Sequence, residues 1–542
     1  MKTTIKSLVI LAASTLALSS CIEETMPESS TATSSQVGES SVALEGLLSG
    51  IPSQMAQGYL VYGDQVHETD LAYPQFMISQ TELLGDIFPG GSNSGYDWFK
   101  SYNTCPAAGT MDKNSYPSYL SWYTLYMFVK SANNIISSVD LETANDDQKH
   151  IAGIAYAARA FDYYHLMLFW EPVENEYTDC SKVLKLTTPI VTEATTNEEA
   201  KNNPRATHDE MVAFILSDCE KALELIGDYT PEKLYPSASV VYGIMARTYM
   251  WDEDYANAAK YARLAVSTFG GTPVTKAQWL DKTTGFNTAN QAWMWKIHYD
   301  AENMGNLCNF TGWMSGEADW GYSTLTMPMI DKSLYDKIGD NDFRKYTFLD
   351  PDRTFYAYES VRGQSWLDDQ VDYLSIKFRC GSGDYQQYAT GGAVDVPVMR
   401  VEEFYLIDAE ATALSEGLEA GKAKLNSFMQ TWRDPSYNCT ATTVRDFQLE
   451  VLTQERIEFW GEGEAFATAK RIKPNVIQNY EGTNAPAEVY WYNCKGIKPN
   501  WNFVIPIDEI ENNNAITDDL NNPNPTACIN YPTAVGSWAT KK

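Results

Sequence analysis

Between Thr207 and Ala265 the chain carries three helix signals in succession, and no other feature limits its fold as strongly. Thr207 and Glu210 stand three apart as a capping box, in which each side chain satisfies a backbone N–H left open by the first turn. Met211, Phe214, Ile215, Cys219, Ala222, Leu225 and Ile226 then recur at three and four residues, so one helix runs to about Ile226 with a single apolar face. A partner starts near Ser237 and a third helix follows Asp254.

Tyr242, Met245, Ala246, Tyr249, Tyr255, Ala258, Tyr261, Ala262 and Ala265 fit the spacing of a tetratricopeptide unit. Small Ala246 and Ala258 let two helices approach, and the tyrosines fill the groove beside them; an unrelated helical hairpin with alanines inside is the alternative. Two looser pairs follow the same logic: Trp122 to Val139 with Ile151 to Trp170, and Val401 to Leu414 with Lys422 to Trp432. The expected fold is mainly α, built of tetratricopeptide-like hairpins with long aromatic-rich loops. Little period-two alternation is present, so only a few short strands are expected, with a small strand element between about 340 and 400. Stacked hairpins leave their loops on one side, where ligands are usually met.

The ends carry a different signal. Lys2 and Lys6 precede an apolar run from Leu8 to Leu18, the order of a signal peptide and too short to span a bilayer. The run stops at Leu18-Ser19-Ser20-Cys21, so residues 1–20 read as a lipoprotein signal, with cleavage before Cys21 and lipid on its thiol; soluble release is the alternative. Residues 21–40 are rich in Ser, Thr and Glu and read as a flexible tether. The rest divides into a helical, tetratricopeptide-like region over 41–290 and a region with inserted loops over 291–542. No later segment has the roughly 20 consecutive apolar residues of a spanning helix. Forty basic against seventy-one acidic residues give a formal charge of −31. That field repels nucleic acid and disfavours an anionic polysaccharide, which leaves a neutral ligand as the first expectation. Of nine cysteines none forms a CxxC pair, which speaks against a thiolate zinc site; buried thiols with room for one bridge are expected.

Recognition becomes specific in the C-terminal third. Met399 to Glu410 resembles the "RxAEvyLixAEA" helix of the SusD/RagB family, and Leu425-Asn426 with Trp432-Arg433 its "LNxxRxR" helix. Glu455 to Gly463 resembles "ERrxEfxxEG", with Lys470-Arg471 following, and Phe503 to Ile510 resembles the closing "yPIPxxEi". Upstream, Ala155 to Trp170 is similar to the family's "GeArflRAfxYfxLxxxyG" helix, with Arg159-Ala160 and Tyr163-Tyr164 in register. The likeness covers the chain from about residue 41 to its end. Two departures, Glu464 where an arginine is usual and Ala469-Lys470-Arg471 for "DLxR", put one structural ion pair in question. The resemblance implies a SusD-like fold and an outer-membrane, cell-surface lipoprotein without catalytic activity or cofactor. Its implied role is to capture oligosaccharides above a SusC-like, TonB-dependent transporter.

A sugar ring offers apolar C–H faces and a hydroxyl rim, so its binder needs exposed aromatic planes beside amides or carboxylates. Two segments combine these. Tyr96, Trp98, Phe99, Tyr102 and Asn103 lie in a Gly-, Ser- and Asn-rich insertion from about Pro89, and Phe310, Trp313, Trp320 and Tyr322 lie between Met304 and Tyr322. The ligand-binding candidates are Tyr96, Trp98, Asn103, Trp313, Trp320 and Tyr322, with Trp98 and Trp320 expected to form a shallow platform; packing within the loop is the competing role for each ring. Glu455, Glu458, Glu462 and Glu464 invite a glycosidase reading, but their spacing fits structural hydrogen bonds better. His67, His150, His165, His208 and His298 show no zinc spacing, and His165 reads as a core residue. Asp252-Glu253-Asp254 reads as a solvated cap without calcium-loop spacing, and neither a phosphate loop nor a GxSxG nucleophile occurs. A surface glycoside hydrolase and a structural or adhesive lipoprotein are the alternatives to a glycan-binding subunit.

Overall fold

The computed structural model describes residues 38, 40–63, 67–91, 94–104, 110–303, 307–355, 359–486 and 490–526. Cys21, Cys105, Cys528 and the N-terminal signal fall outside them. Among the described residues eleven helices have eight residues or more. They are α1 (Ser41–Ala56), α2 (Tyr73–Leu84), α3 (Tyr116–Ser138), α4 (Asp146–Trp170), α5 (His208–Ile226), α6 (Ala238–Trp251), α7 (Tyr255–Phe269), α8 (Val401–Ser415), α9 (Leu418–Trp432), α10 (Val444–Glu458) and α11 (Ala465–Ile472).

From α3 to α9 each helix packs on the next, so that the hairpins stack in chain order although 131 residues separate α7 from α8. The capping box forms as written: Thr207 Oγ1 accepts from Glu210 N–H, and the Glu210 carboxylate accepts from Thr207 N–H. Buried Ala246, Ala258, Ala262 and Ala265 line the α6–α7 seam. Gly153 does the same for α4 and α5, where a Cβ would lie 2.9–3.0 Å from Ile226 and Leu225. Three helices start earlier than their periodicity suggests, at Tyr116 rather than Trp122, at Asp146 rather than Ile151 and at Leu418 rather than Lys422. In the first case Pro117 fits the opening turn, whose N–H groups have no helical partner.

Strands are few and short. β1 (Ile87–Pro89) pairs antiparallel with β3 (Pro328–Ile330), β2 (Trp293–His298) with β4 (Asp395–Arg400), and β5 (Val476–Ile477) with β6 (Asn493–Cys494). Only β4 falls in the interval where the sequence suggests a strand. The others run three residues or less, or, in β2, have their alternation broken by Met294, buried between Trp293 and Trp295.

The family-like motifs converge on buried charge. Glu458 accepts from Arg433 Nε at 2.7 Å and Nη2 at 2.7 Å, from Arg344 Nη1 at 3.0 Å and from Arg400 Nη1 at 3.2 Å. Glu462 accepts from Arg400 Nε at 2.7 Å and Lys377 Nζ at 2.6 Å. Burial alone would raise the Glu458 carboxyl, but Arg433, Arg400 and Arg344 outweigh it and hold it well below the usual carboxylate range. The departures from the family pattern keep structural partners. Arg247 grips Glu403 through two bonds of 2.6 Å and reaches Glu464 at 2.8 Å. Lys470 donates to the carbonyls of Leu168, Phe169 and Glu171 and so closes the C-terminus of α4, whose last carbonyls have no helical partner. Arg471 pairs with Glu410 at 2.6 Å.

Candidate glycan-binding surface

The insertion after β1 is rooted by polar groups that spend themselves inside the protein. Asn103 is fully buried: its Nδ2 donates to Ile87 O at 2.6 Å, and its Oδ1 accepts from Gln478 Nε2 at 2.7 Å. Asp97 accepts from Phe99 N–H at 3.1 Å and from the Tyr490 hydroxyl at 2.7 Å. Lys498 Nζ donates to the carbonyls of Tyr102 and Asn103. These anchors bury Phe99 and Tyr102 and turn Trp98 and Tyr96 outward, 39% and 46% exposed.

The second loop supplies the floor and one more ring. Trp313 is buried, stacked on Tyr322 with centroids 4.4 Å apart and edge-on to Phe99 at 5.1 Å, and its Nε1 donates to Glu68 O at 3.3 Å. Tyr322 is half-buried and lies 6.4 Å from Tyr96, and burial pushes its hydroxyl up to about 12. Phe310 is buried edge-on to Phe378. The surface platform is therefore Tyr96, Trp98 and Tyr322, standing on Trp313 and Phe99.

Three expectations change here, the first being Trp313, which is buried beneath Tyr322 and so is floor rather than contact surface. Trp320 does not face solvent beside Trp98: it is 6% exposed and packs with Ala318 and Cys380. Its ring lies so close to Gly391 that a Cβ there would be 2.2 Å from it. Asn103 offers no free amide to a hydroxyl, because both ends of its amide hold the loop. A glycine-rich context exposes a ring only when nothing covers it, and the turn at Tyr388–Gly391 covers Trp320.

Sequence reasoning also missed half of the surface. Tyr62 stacks on His67 at 4.9 Å; His67 meets Tyr116 at 4.6 Å, Tyr62 meets Tyr119 at 5.7 Å, and Tyr119 meets Tyr123 at 4.4 Å. All five rings are half-buried, and the Tyr116 hydroxyl donates to Trp98 O at 2.7 Å, which joins this strip to the platform. Tyr116, Tyr119 and Tyr123 stand at i, i+3 and i+7, a one-face helical spacing that an earlier start for α3 would have revealed. Burial keeps the His67 imidazole pKa below its ordinary value, so this ring is neutral at pH 7.

The carboxylates offer no comparable site. Glu455, Glu458 and Glu462 are buried, and Glu458 is surrounded by guanidinium groups rather than by space for a substrate. Among the described residues no three His, Cys, Asp or Glu side chains are grouped to hold a metal ion. His165 is buried, its Nδ1 2.9 Å from Phe161 O, with its pKa pushed by burial down to about 3. Asp252 is not a free acidic cap, since its Oδ1 lies 3.0 Å from His208 Nε2. Among the described residues Cys180, Cys219, Cys380, Cys439 and Cys494 are free thiols.

Residues 84–250, which include the first loop and α3 to α6, match the family model SusD-like_3, described as "Starch-binding associating with outer membrane". The chain is 26% identical over 383 residues to SusD-like protein P2 of Formosa agariphila, covering 65% of this chain and 71% of that one. The chain has the SusD-like fold. Solved SusD-like structures share the fold across nearly the whole length. A SusD-like carbohydrate binding protein from Bacteroides vulgatus superposes with a TM-score of 0.67 at 21% identity, over 89% of this chain and 98% of that one. A laminarin binding SusD-like protein gives 0.61 at 17% identity, over 89% and 99%. The segment matched by the family model carries Trp98 and the α3 tyrosines, whereas Tyr322 comes from outside it.

Proposed function

We propose that this SusD-like protein captures neutral oligosaccharides on the Tyr96–Trp98–Tyr322 platform and passes them to a SusC-like, TonB-dependent transporter. In this reading it is held at the outer membrane, facing outward, by lipid on Cys21. The observation that carries the proposal is the exposure of Trp98 and Tyr96 on a buried aromatic floor, with further tyrosines continuing the surface. Soluble proteins seldom leave large rings in contiguous view without a partner for them. Offset rings 4.5–7 Å apart suit the C–H faces of sugars as they suit one another. The family description and the laminarin-binding relative support a carbohydrate as that partner. The formal charge of −31 supports a neutral one.

Capture would work by desolvation of the rings, with hydroxyl contacts orienting the chain and release governed by the transporter. The test is a glycan array on the full-length protein in detergent, followed by pull-down of the native complex from membranes. Binding to at least one neutral glycan, and recovery of a large β-barrel partner, are expected. An array without binding removes the capture role, and a protein recovered alone removes the transporter.

A further inference from the structure

A second group of rings lies beyond the platform, centred on Arg362. The Arg362 guanidinium carbon lies 4.6 Å from the ring centroid of Trp366 and 5.0 Å from that of Tyr385. Beneath it, fully buried Glu317 fixes the loop: one carboxylate oxygen accepts from the Ser360 hydroxyl at 2.6 Å and Val361 N–H at 3.2 Å, and the other pairs with Arg379 at 2.7 Å. The Glu317 carbonyl itself accepts from Arg362 Nη1 at 3.3 Å. Asp319 stands beside the guanidinium at 3.4 Å with its side chain 53% exposed. Tyr388, 42% exposed, projects from the turn that covers Trp320. The Trp320 Nε1 in the floor of this group is buried with no hydrogen-bond partner among the described residues.

Chain continuity sets the two aromatic groups side by side. Asp319 N–H donates to Tyr385 O at 2.8 Å, and three residues later Tyr322 is a ring of the platform. Three residues fully extended span at most about 11 Å, so a glycan of modest length reaches from one group to the other. The chemistry is that of hydroxyl recognition. A guanidinium held between two rings keeps its N–H donors pre-aimed, and a carboxylate at its side supplies the acceptor that a sugar hydroxyl also needs. An acidic sugar would meet Asp319 and the protein's negative field.

We propose that Arg362, Asp319, Trp366, Tyr385 and Tyr388 form a second subsite, which takes the later units of a neutral glycan whose first units rest on Tyr96, Trp98 and Tyr322. This rests on the capture reading above. The consequence is selection for chain length, since only a chain long enough to cover both subsites gains both sets of contacts.

The experiment titrates the full-length protein in detergent calorimetrically with neutral ladders from disaccharide to octasaccharide: β-1,3-glucan, α-1,4-glucan and xylan. A polygalacturonate ladder serves as the acidic comparison. On the neutral ladder that binds, affinity is expected to rise with length. Tyr388→Ala and Arg362→Lys should each weaken the octasaccharide by about five- to tenfold, the worth of one stacked ring with its contacts, and leave the shortest binding oligosaccharide unchanged. Trp98→Ala should weaken short and long chains alike. Unchanged melting temperatures of the variants separate lost contacts from lost folding. Affinity independent of length, or long-chain binding untouched by both variants, overturns the second subsite while Trp98-dependent binding leaves the capture reading standing. Tighter binding of the acidic ladder overturns the choice of neutral sugar. A wild type that binds no ladder removes the capture reading and this subsite together.

Discussion

Trp313 lies face to face with Tyr322, the ring centroids 4.4 Å apart and the planes 11° from parallel. One ring is buried and the other reaches the surface, so the platform is the outer end of a packed aromatic column that Phe99 closes from the side. Rings of one loop therefore serve two purposes, and substitution separates them.

Trp98→Ala is expected to lower glycan affinity about tenfold, because a lost stacking contact of roughly 1 kcal/mol comes with lost buried area and ~1.4 kcal/mol is one decade. Its melting temperature should barely move. Trp313→Ala should instead cost about 3–5 kcal/mol of stability through the cavity it leaves. Calorimetric titration paired with melting curves checks both; a Trp98→Ala protein with wild-type affinity and a lowered melting temperature would return that ring to loop packing.

Glu458→Gln removes the charge that balances Arg433, Arg344 and Arg400 in a site closed to water. Breaking a buried ionic cluster from one side costs about 3–5 kcal/mol, so the variant should unfold at clearly lower urea concentration. No glycan that the wild type binds is expected to be hydrolysed, by chromatography of a long incubation. New reducing ends that vanish in the Glu458 or Glu462 variants would place the protein among the hydrolases.

His208 lies between two carboxylates, 2.9 Å from Glu171 and 3.0 Å from Asp252, joining the end of α4 to the end of α6. The hydrogen bond to Glu171 is the main cause of a folded-state pKa above the ordinary value near 6.5. Protonated His208 is thus favoured in the folded state. Its contribution is fully present below pH 6.5 and is lost as pH rises through the raised value. Melting temperature should fall over that interval in the wild type, and a difference titration against His208→Gln should isolate the loss. Identical slopes for the two proteins would show that this histidine does not set it.

Cys21→Ala is expected to leave a folded protein in the soluble fraction of cells that lack the transporter, since none of the described helices is long and apolar enough to cross a membrane. Fractionation decides it. A variant that still requires detergent for extraction would rule out lipid on Cys21 as the anchor.

The helical frame was legible because it is local. Capping boxes, three- and four-residue spacing and small residues at seams act within a few turns of chain, and Thr207 to Ala265 folds as its residues dictate. Family-like motifs could be read for the same reason, each being one helix or one turn, although the sequence does not reveal that Glu402, which pairs with Arg400 and Arg433, joins Glu458, Glu462 and Lys377 in one place. The site was half legible. Its ring types and its two loops could be named, and Trp98 and Tyr96 are exposed as their polar surroundings suggest.

Which rings face water is decided by segments far away in sequence. Trp320 is covered by the turn at Tyr388–Gly391, Trp313 by Phe99 and Tyr322, and Asn103 is consumed by Ile87 and Gln478. The tyrosines of α3 join the surface only because Tyr62 and His67 fold onto them. Burial is a property of the neighbours that chain folding brings up, and no periodicity within a loop encodes them. The sequence by itself therefore determined the helices, their seams and the aromatic stock of the loops, whereas the tertiary structure alone decided which of those rings became floor and which became surface.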